Sequence, residues 1–244
     1  MVVRRSQDQL PFLLLLPNLV TISGMCLGLT SIRYTMVGRF ELAVALLMLA
    51  AVIDGLDGLI ARRLRATSDF GAELDSLSDF LCFGVAPGLL VYRFGLGEAN
   101  ALGWIAVLVF AAAGCLRLAR FNVMRGDEAT SKTHFTGVPA PAGAMLALLP
   151  VFLQLAGLID TRQMPGLVGV WLALVGLLMI SRIPTLSPKA LRVPRWGVGG
   201  LFVGTVIGMG MIVTRIWLLA VVIDVIYVLL LLPAIWKMRG RILR

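Results

Sequence analysis

Residues 40–79 read FELAVALLMLAAVIDGLDGLIARRLRATSDFGAELDSLSD. Leu42 to Ile53 carry no charge on any face of a helix. A helix that is apolar all round belongs in a protein interior or in a membrane. Directly behind that run come Asp54, Asp57, Asp69, Glu73, Asp75 and Asp79, six of the chain's 13 acidic residues within 26 positions. A carboxylate at mid-bilayer depth costs about 2.5–3.5 kcal/mol on insertion scales, so such a group predicts a compensating cation.

The remainder of the chain repeats the apolar half of this pattern. Of 244 residues, 59% are hydrophobic and 14% charged, and the mean hydropathy is +0.94. Soluble domains lie near about 45–50% apolar and about 25% charged. The composition excludes an ordinary soluble globule, a disordered chain and a disulfide-rich secreted domain. Apolar blocks fall at about 17–36, 40–62, 74–95, 100–120, 138–158, 166–182, 198–214 and 216–235. Each approaches the ~20 residues that a helix needs to cross the hydrocarbon. The fold class read from them is all-α: a polytopic membrane helix bundle of about eight transmembrane helices. The last two blocks are separated only by Thr214-Arg215, so six spans with a re-entrant final pair also fit. The stretch before Pro17, with Arg4, Arg5 and Leu10 to Leu16, lacks a small-residue cleavage site and reads as an interfacial lead-in.

The formal net charge of +9 sits mostly between the apolar blocks, which favours headgroups and phosphates over nucleic acid. With both termini placed in the cytoplasm, 17 of the 22 Lys and Arg residues fall in inner segments and five in outer ones: Arg33, Arg39, Arg93, Arg162 and Arg215. That asymmetry follows the positive-inside rule. It puts both termini and the acidic cluster on the cytoplasmic side of a cell inner membrane, in a multi-pass protein. Cys26, Cys82 and Cys115 stand singly in apolar blocks and read as small buried hydrophobes. His134 is the only histidine, which argues against a His triad or a multi-His metal site.

Spacing orients the carboxylates. Asp54 and Asp57 are three apart and Asp75 and Asp79 four apart, so each pair shares one helix face. Two facing pairs offer hard oxygen ligands for Mg²⁺ or Mn²⁺. Gly58, Ala61 and Gly71 leave room for a bulky ligand, and Arg62 can meet phosphate bidentately. A metal beside an arginine points to a diphosphate substrate. A proton or ion path in a transporter would also use intramembrane carboxylates. The same residues leave that reading open.

Asp54, Asp57, Gly58, Ala61, Arg62, Gly71, Asp75 and Asp79 occupy all eight fixed positions of D-x2-D-G-x2-A-R-x8-G-x3-D-x3-D. In this the chain resembles the CDP-alcohol phosphotransferase family. The resemblance implies that Asp54, Asp57 and Asp75 ligate a divalent metal, Mn²⁺ or Mg²⁺. It makes Asp79 the general base and a further ligand. Gly58, Ala61, Arg62, Ser68, Gly71, Asn18 and Thr21 would hold CDP-diacylglycerol. Flanking segments are similar to the branch that uses serine: Pro17-Asn18 with Thr21, Phe83 to Pro87, Leu116 to Asn122, and Phe135 to Pro141. They imply transfer of a phosphatidyl group to L-serine within about residues 10–185. Glycerol phosphate, inositol phosphate and choline stand as alternative acceptors. The implied division is a six-helix catalytic unit, 1–185, followed by an interfacial linker and C-terminal pair, 186–244. An amino-acid acceptor brings a carboxylate, for which Arg117, Arg120 and Asn122 stand at a helix end. Gly200, Gly204 and Gly208 form overlapping GxxxG patterns that serve either a homodimer seam or packing within the chain.

Overall fold

The computed structural model describes residues 12–64, 68–97, 101–125, 135–181, 184–185 and 198–242. Eight helices run through them: α1 (Phe12–Met36), α2 (Phe40–Leu64), α3 (Asp69–Leu96), α4 (Ala101–Arg125), α5 (Ala140–Leu155), α6 (Pro165–Ile180), α7 (Val198–Thr214) and α8 (Ile216–Ile242). Stretches of α1, α2, α3, α4 and α8 are long and apolar enough to cross a bilayer, while α5, α6 and α7 are shorter apolar helices. The chain is a multi-pass membrane protein. Large apolar side chains such as Leu29, Leu59, Leu108, Leu174 and Val206 point outward, as a lipid-facing surface requires. Because α8 is long enough to cross by itself, a re-entrant final pair is not needed.

α1 and α2 form a hairpin closed by Gly38 (φ +76°), whose N–H bonds to Thr35 O at 3.1 Å while Arg39 N–H bonds to Tyr34 O at 2.9 Å. A left-handed glycine ends a helix in this way because no Cβ clashes. One turn inside, Ser31 Oγ donates to Ala43 O at 2.7 Å and ties the two helices together.

α3 begins earlier than its apolar block. Ser68, in extended conformation, accepts a hydrogen bond from Gly71 N–H at 3.0 Å and caps the helix. The acidic residues Asp69, Glu73, Asp75 and Asp79 therefore all ride on α3, which the hydropathy boundary near 74 did not foretell. Immediately after Asp79 the helix widens to π geometry over Phe80–Val85, with Ala86 N–H bonding to Leu81 O, five residues back. Pro87 follows within the next turn and lacks an N–H of its own. Glycines set the crossings here. A Cβ on Gly28 of α1 would lie 2.6 Å from Cys82 Sγ, and one on Gly114 of α4 would lie 3.3 Å from Gly84 Cα. Small residues let helix backbones approach closely inside a bilayer.

α4 packs on α6, and α5 on α8. A two-residue antiparallel pair, Phe135–Thr136 with Pro184–Thr185, joins the entry of α5 to the exit of α6. This minor strand pairing was not expected from the sequence. Beside it Gly137 (φ +83°) presses on the end of α6, where a Cβ would stand 2.6 Å from Met179 O. α7 touches mainly α8, and added Cβ atoms on Gly200, Gly204 and Gly208 would meet nothing within 4 Å. Packing of that face within the chain is therefore not seen among the described residues. The reading of the cysteines also needs correction: Cys82 is buried, but Cys26 and Cys115 are exposed. A thiol is apolar enough to face lipid as readily as core. The linker 186–197, Lys132 and His134 lie outside the described residues.

Candidate active site

Three helices build the site. α2 carries Asp54 and Asp57 on one face, α3 carries Asp75 and Asp79 on one face, and α1 closes the side with Thr21. One carboxylate oxygen from each of Asp54, Asp57 and Asp75 lies within 4.8 Å of the others. Oxygens bound to Mg²⁺ at about 2.1 Å span up to about 4.2 Å across the ion. Small side-chain shifts would therefore bring all three onto one cation, and an all-carboxylate donor set suits a hard divalent ion. Asp79 reaches Asp54 at hydrogen-bonding range and also lies in the fields of Asp75 and Arg117. Asp54, Asp57 and Asp79 thus line a narrow cleft whose other walls include Gly24, Ile53, Ser78 and Cys82.

The surrounding polar groups are anchored with direction. Thr21 Oγ1 donates to Asp57 Oδ2 at 2.7 Å and also lies 3.1 Å from Pro17 O. Thr21 and Asp57 are both buried, at 6% and 5% exposure, so water does not compete for this bond. Ser78 Oγ donates to Thr21 O at 3.4 Å, tying α3 to the same point of α1. Neither the Thr21–Asp57 contact nor Ser78 was foreseen. A threonine one helix away from a carboxylate leaves no spacing signal in the sequence.

The remaining expected residues separate into groups. Asn18, Ser68 and Gly71 meet at the start of α3, where a Cβ on Gly71 would stand 3.0 Å from Asn18 Oδ1 and 3.1 Å from Ser68 Oγ. Arg62 is exposed at the end of α2, and a Cβ added at Gly58 would lie 4.0 Å from its Nη1. Ala61 lies on α2, with its side chain outside the described part. Of the three residues expected around an acceptor carboxylate, Arg120 donates to Ile180 O at 3.4 Å, at the end of α6. Asn122 Oδ1 accepts from Ser76 Oγ at 3.1 Å. Arg117 alone turns toward the carboxylates, within the field of Asp79.

A sequence profile described as CDP-alcohol phosphatidyltransferase matches residues 14–180, which contain the whole cluster. The chain belongs to that family. Three similar relatives are a Mycobacterium leprae protein (40% identity over 185 residues), a Helicobacter pylori protein (37% over 171) and a Methanocaldococcus jannaschii protein (42% over 139). All three are named CDP-diacylglycerol–serine O-phosphatidyltransferase. The alignments cover 74%, 70% and 57% of this chain. The chain spans 61% of the length of the mycobacterial relative, 71% of the Helicobacter one and 61% of the archaeal one. As a CDP-alcohol phosphatidyltransferase family member, it carries the four aspartates of the family pattern on two adjoining helices.

Proposed function

We propose that this chain transfers the phosphatidyl group of CDP-diacylglycerol to the hydroxyl of L-serine, giving phosphatidylserine and CMP. One observation carries the reading: the oxygens of Asp54, Asp57 and Asp75 gather within 4.8 Å, with Asp79 against Asp54. The names of the similar proteins support serine as acceptor.

Asp54, Asp57 and Asp75 would hold Mn²⁺ or Mg²⁺, which supplies charge neutralisation to a bound diphosphate. Asn18, Ser68 and Gly71, with Gly58, Ala61 and Arg62, frame the approach to it as the headgroup site. Arg62, exposed at the helix end, reaches out to a phosphate oxygen. Asp79 accepts the proton of the serine hydroxyl, a general-base role at hydrogen-bond reach. The serine oxygen then bonds to the phosphorus that bears diacylglycerol, the bond from that phosphorus to the oxygen of CMP breaks, and CMP departs with the electron pair. Arg117 binds the serine carboxylate; Arg120 and Asn122 act as anchors for α6 and α3.

The excess of inner-segment Lys and Arg supports a cytoplasmic site in the cell inner membrane. The catalytic unit is 1–185, and 186–244 is an appended linker and helix pair. The open glycine face of α7 supports a homodimer seam. A panel of serine, glycerol phosphate, inositol phosphate and choline, given to purified protein with CDP-diacylglycerol and Mn²⁺, tests the reaction. CMP release dependent on serine is expected. Release with another acceptor alone would reassign the substrate, and ion flux without CMP release would replace an enzyme by a transporter.

A further inference from the structure

Arg117 Nε on α4 and the Tyr227 hydroxyl on α8 are both buried without a hydrogen-bond partner among the described residues. Each side chain lies in the electrostatic field of the other, and Arg117 lies in that of Asp79 as well. Asp224 Oδ2, one turn earlier on α8, is likewise buried without a partner, but neither Arg117 nor Tyr227 is among the influences on its carboxyl group. An arginine Nε–H can only donate, and a phenol O–H donates to any stronger acceptor. Two orphaned donors at one buried place are costly unless an acceptor joins them. Because one of them is cationic, an anion is favoured over water.

The position selects which anion. Asp79 is the group that takes the acceptor's proton in the reaction proposed above. In serine the hydroxyl and the carboxylate are held on neighbouring carbons. A hydroxyl at Asp79 therefore brings the carboxylate to the Arg117 side. A CDP phosphate is the other candidate, but in the reaction proposed above the oxygens of Asp54, Asp57 and Asp75 would hold it through the divalent ion. Tyr227 lies beyond residues 14–180, the part that matches the family profile.

We infer that Tyr227, reaching in from the final helix, completes the acceptor pocket by donating its hydroxyl to the carboxylate that Arg117 holds. It is a specificity residue, resting on the reading of serine as acceptor. In this role the C-terminal helix is part of the site, which then extends beyond the 1–185 catalytic unit proposed above.

The test uses the full chain in mixed micelles with Mn²⁺ and CDP-diacylglycerol. Wild-type protein comes first: without serine-dependent CMP release, the phosphatidyl-transfer reading itself fails. Given that release, serine should exceed serinamide, which lacks the carboxylate, in kcat/KM. Equal values would overturn the inference without any variant. Tyr227→Phe keeps the ring and removes the donor. It should raise the serine KM about tenfold, leave the KM of CDP-diacylglycerol within about twofold, and shrink the preference for serine over serinamide by the same tenfold. An unchanged serine KM, an equal rise in both KM values, or an unchanged preference would each overturn it.

Discussion

Consider Thr21→Val. Valine fills nearly the same volume, so the helix contact between α1 and α2 stays packed. What disappears is the donor 2.7 Å from Asp57 Oδ2, at a place where both residues are at most 6% exposed. No water can take its place without a cavity. A hydrogen bond to a charged group contributes about 1.5–3 kcal/mol, or roughly a 10- to 150-fold change in an equilibrium constant. Outer partners of metal-binding carboxylates commonly account for about 10- to 100-fold in metal affinity. The two ranges agree. In a Mn²⁺ titration of serine-dependent CMP release, the half-saturating concentration should therefore rise about 10- to 100-fold. The maximal rate at saturating Mn²⁺ should return to within about threefold of wild type, because the chemistry at Asp79 is untouched. A midpoint that does not move would refute an orienting role for Thr21. A normal midpoint with a raised KM for CDP-diacylglycerol would instead restore the headgroup contact that the sequence suggested.

Further outcomes can be checked alongside. Asp79→Asn should lower turnover by about 10²- to 10⁴-fold, while circular dichroism and size-exclusion behaviour in detergent stay as in wild type; retained turnover removes the proposed base. Treatment with EDTA should stop CMP release, and Mn²⁺ or Mg²⁺ should restore it, whereas Ca²⁺, with its longer bonds and higher coordination number, should restore less. Gly137→Ala forces a Cβ to 2.6 Å from Met179 O at φ +83°. The conformation alone costs roughly 1–2 kcal/mol, and the clash adds to it. The thermal midpoint in detergent should fall; an unchanged midpoint would mean that the entry of α5 relaxes freely away from α6.

The helix count was legible because hydrophobic blocks of membrane length have few alternative structures. The convergence of Asp54, Asp57, Asp75 and Asp79 followed from three- and four-residue spacing together with the shortness of the connection between α2 and α3. Contacts between helices that are distant in sequence were not legible. Thr21 sits 36 residues from Asp57, and nothing in either segment specifies their bond. Ser68 read as a ligand contact, yet it caps α3, a local role that its position before Asp69 could have suggested. Arg120 and Asn122 sat at the right end of α4, but their faces were decided by Ile180 and Ser76 on other helices. Tyr227 gave no signal, being one polar atom in an apolar run.

The widened turn at Phe80–Val85 acts as a phase adjuster. An α-helix advances about 100° per residue, and a π-turn accommodates one residue more than an α-turn. The wide turn thus absorbs one residue that an unbroken α-helix would convert into a rotation of roughly that angle. Asp79 keeps its seat beside Asp54 while Gly84 keeps its seat against Gly114. Deleting one residue between Phe80 and Phe83 should let α3 continue as an ordinary helix with both seats kept, whereas deleting one residue between Asp75 and Asp79, where no wide turn absorbs the change, should swing Asp75 away from Asp54 and abolish the cluster.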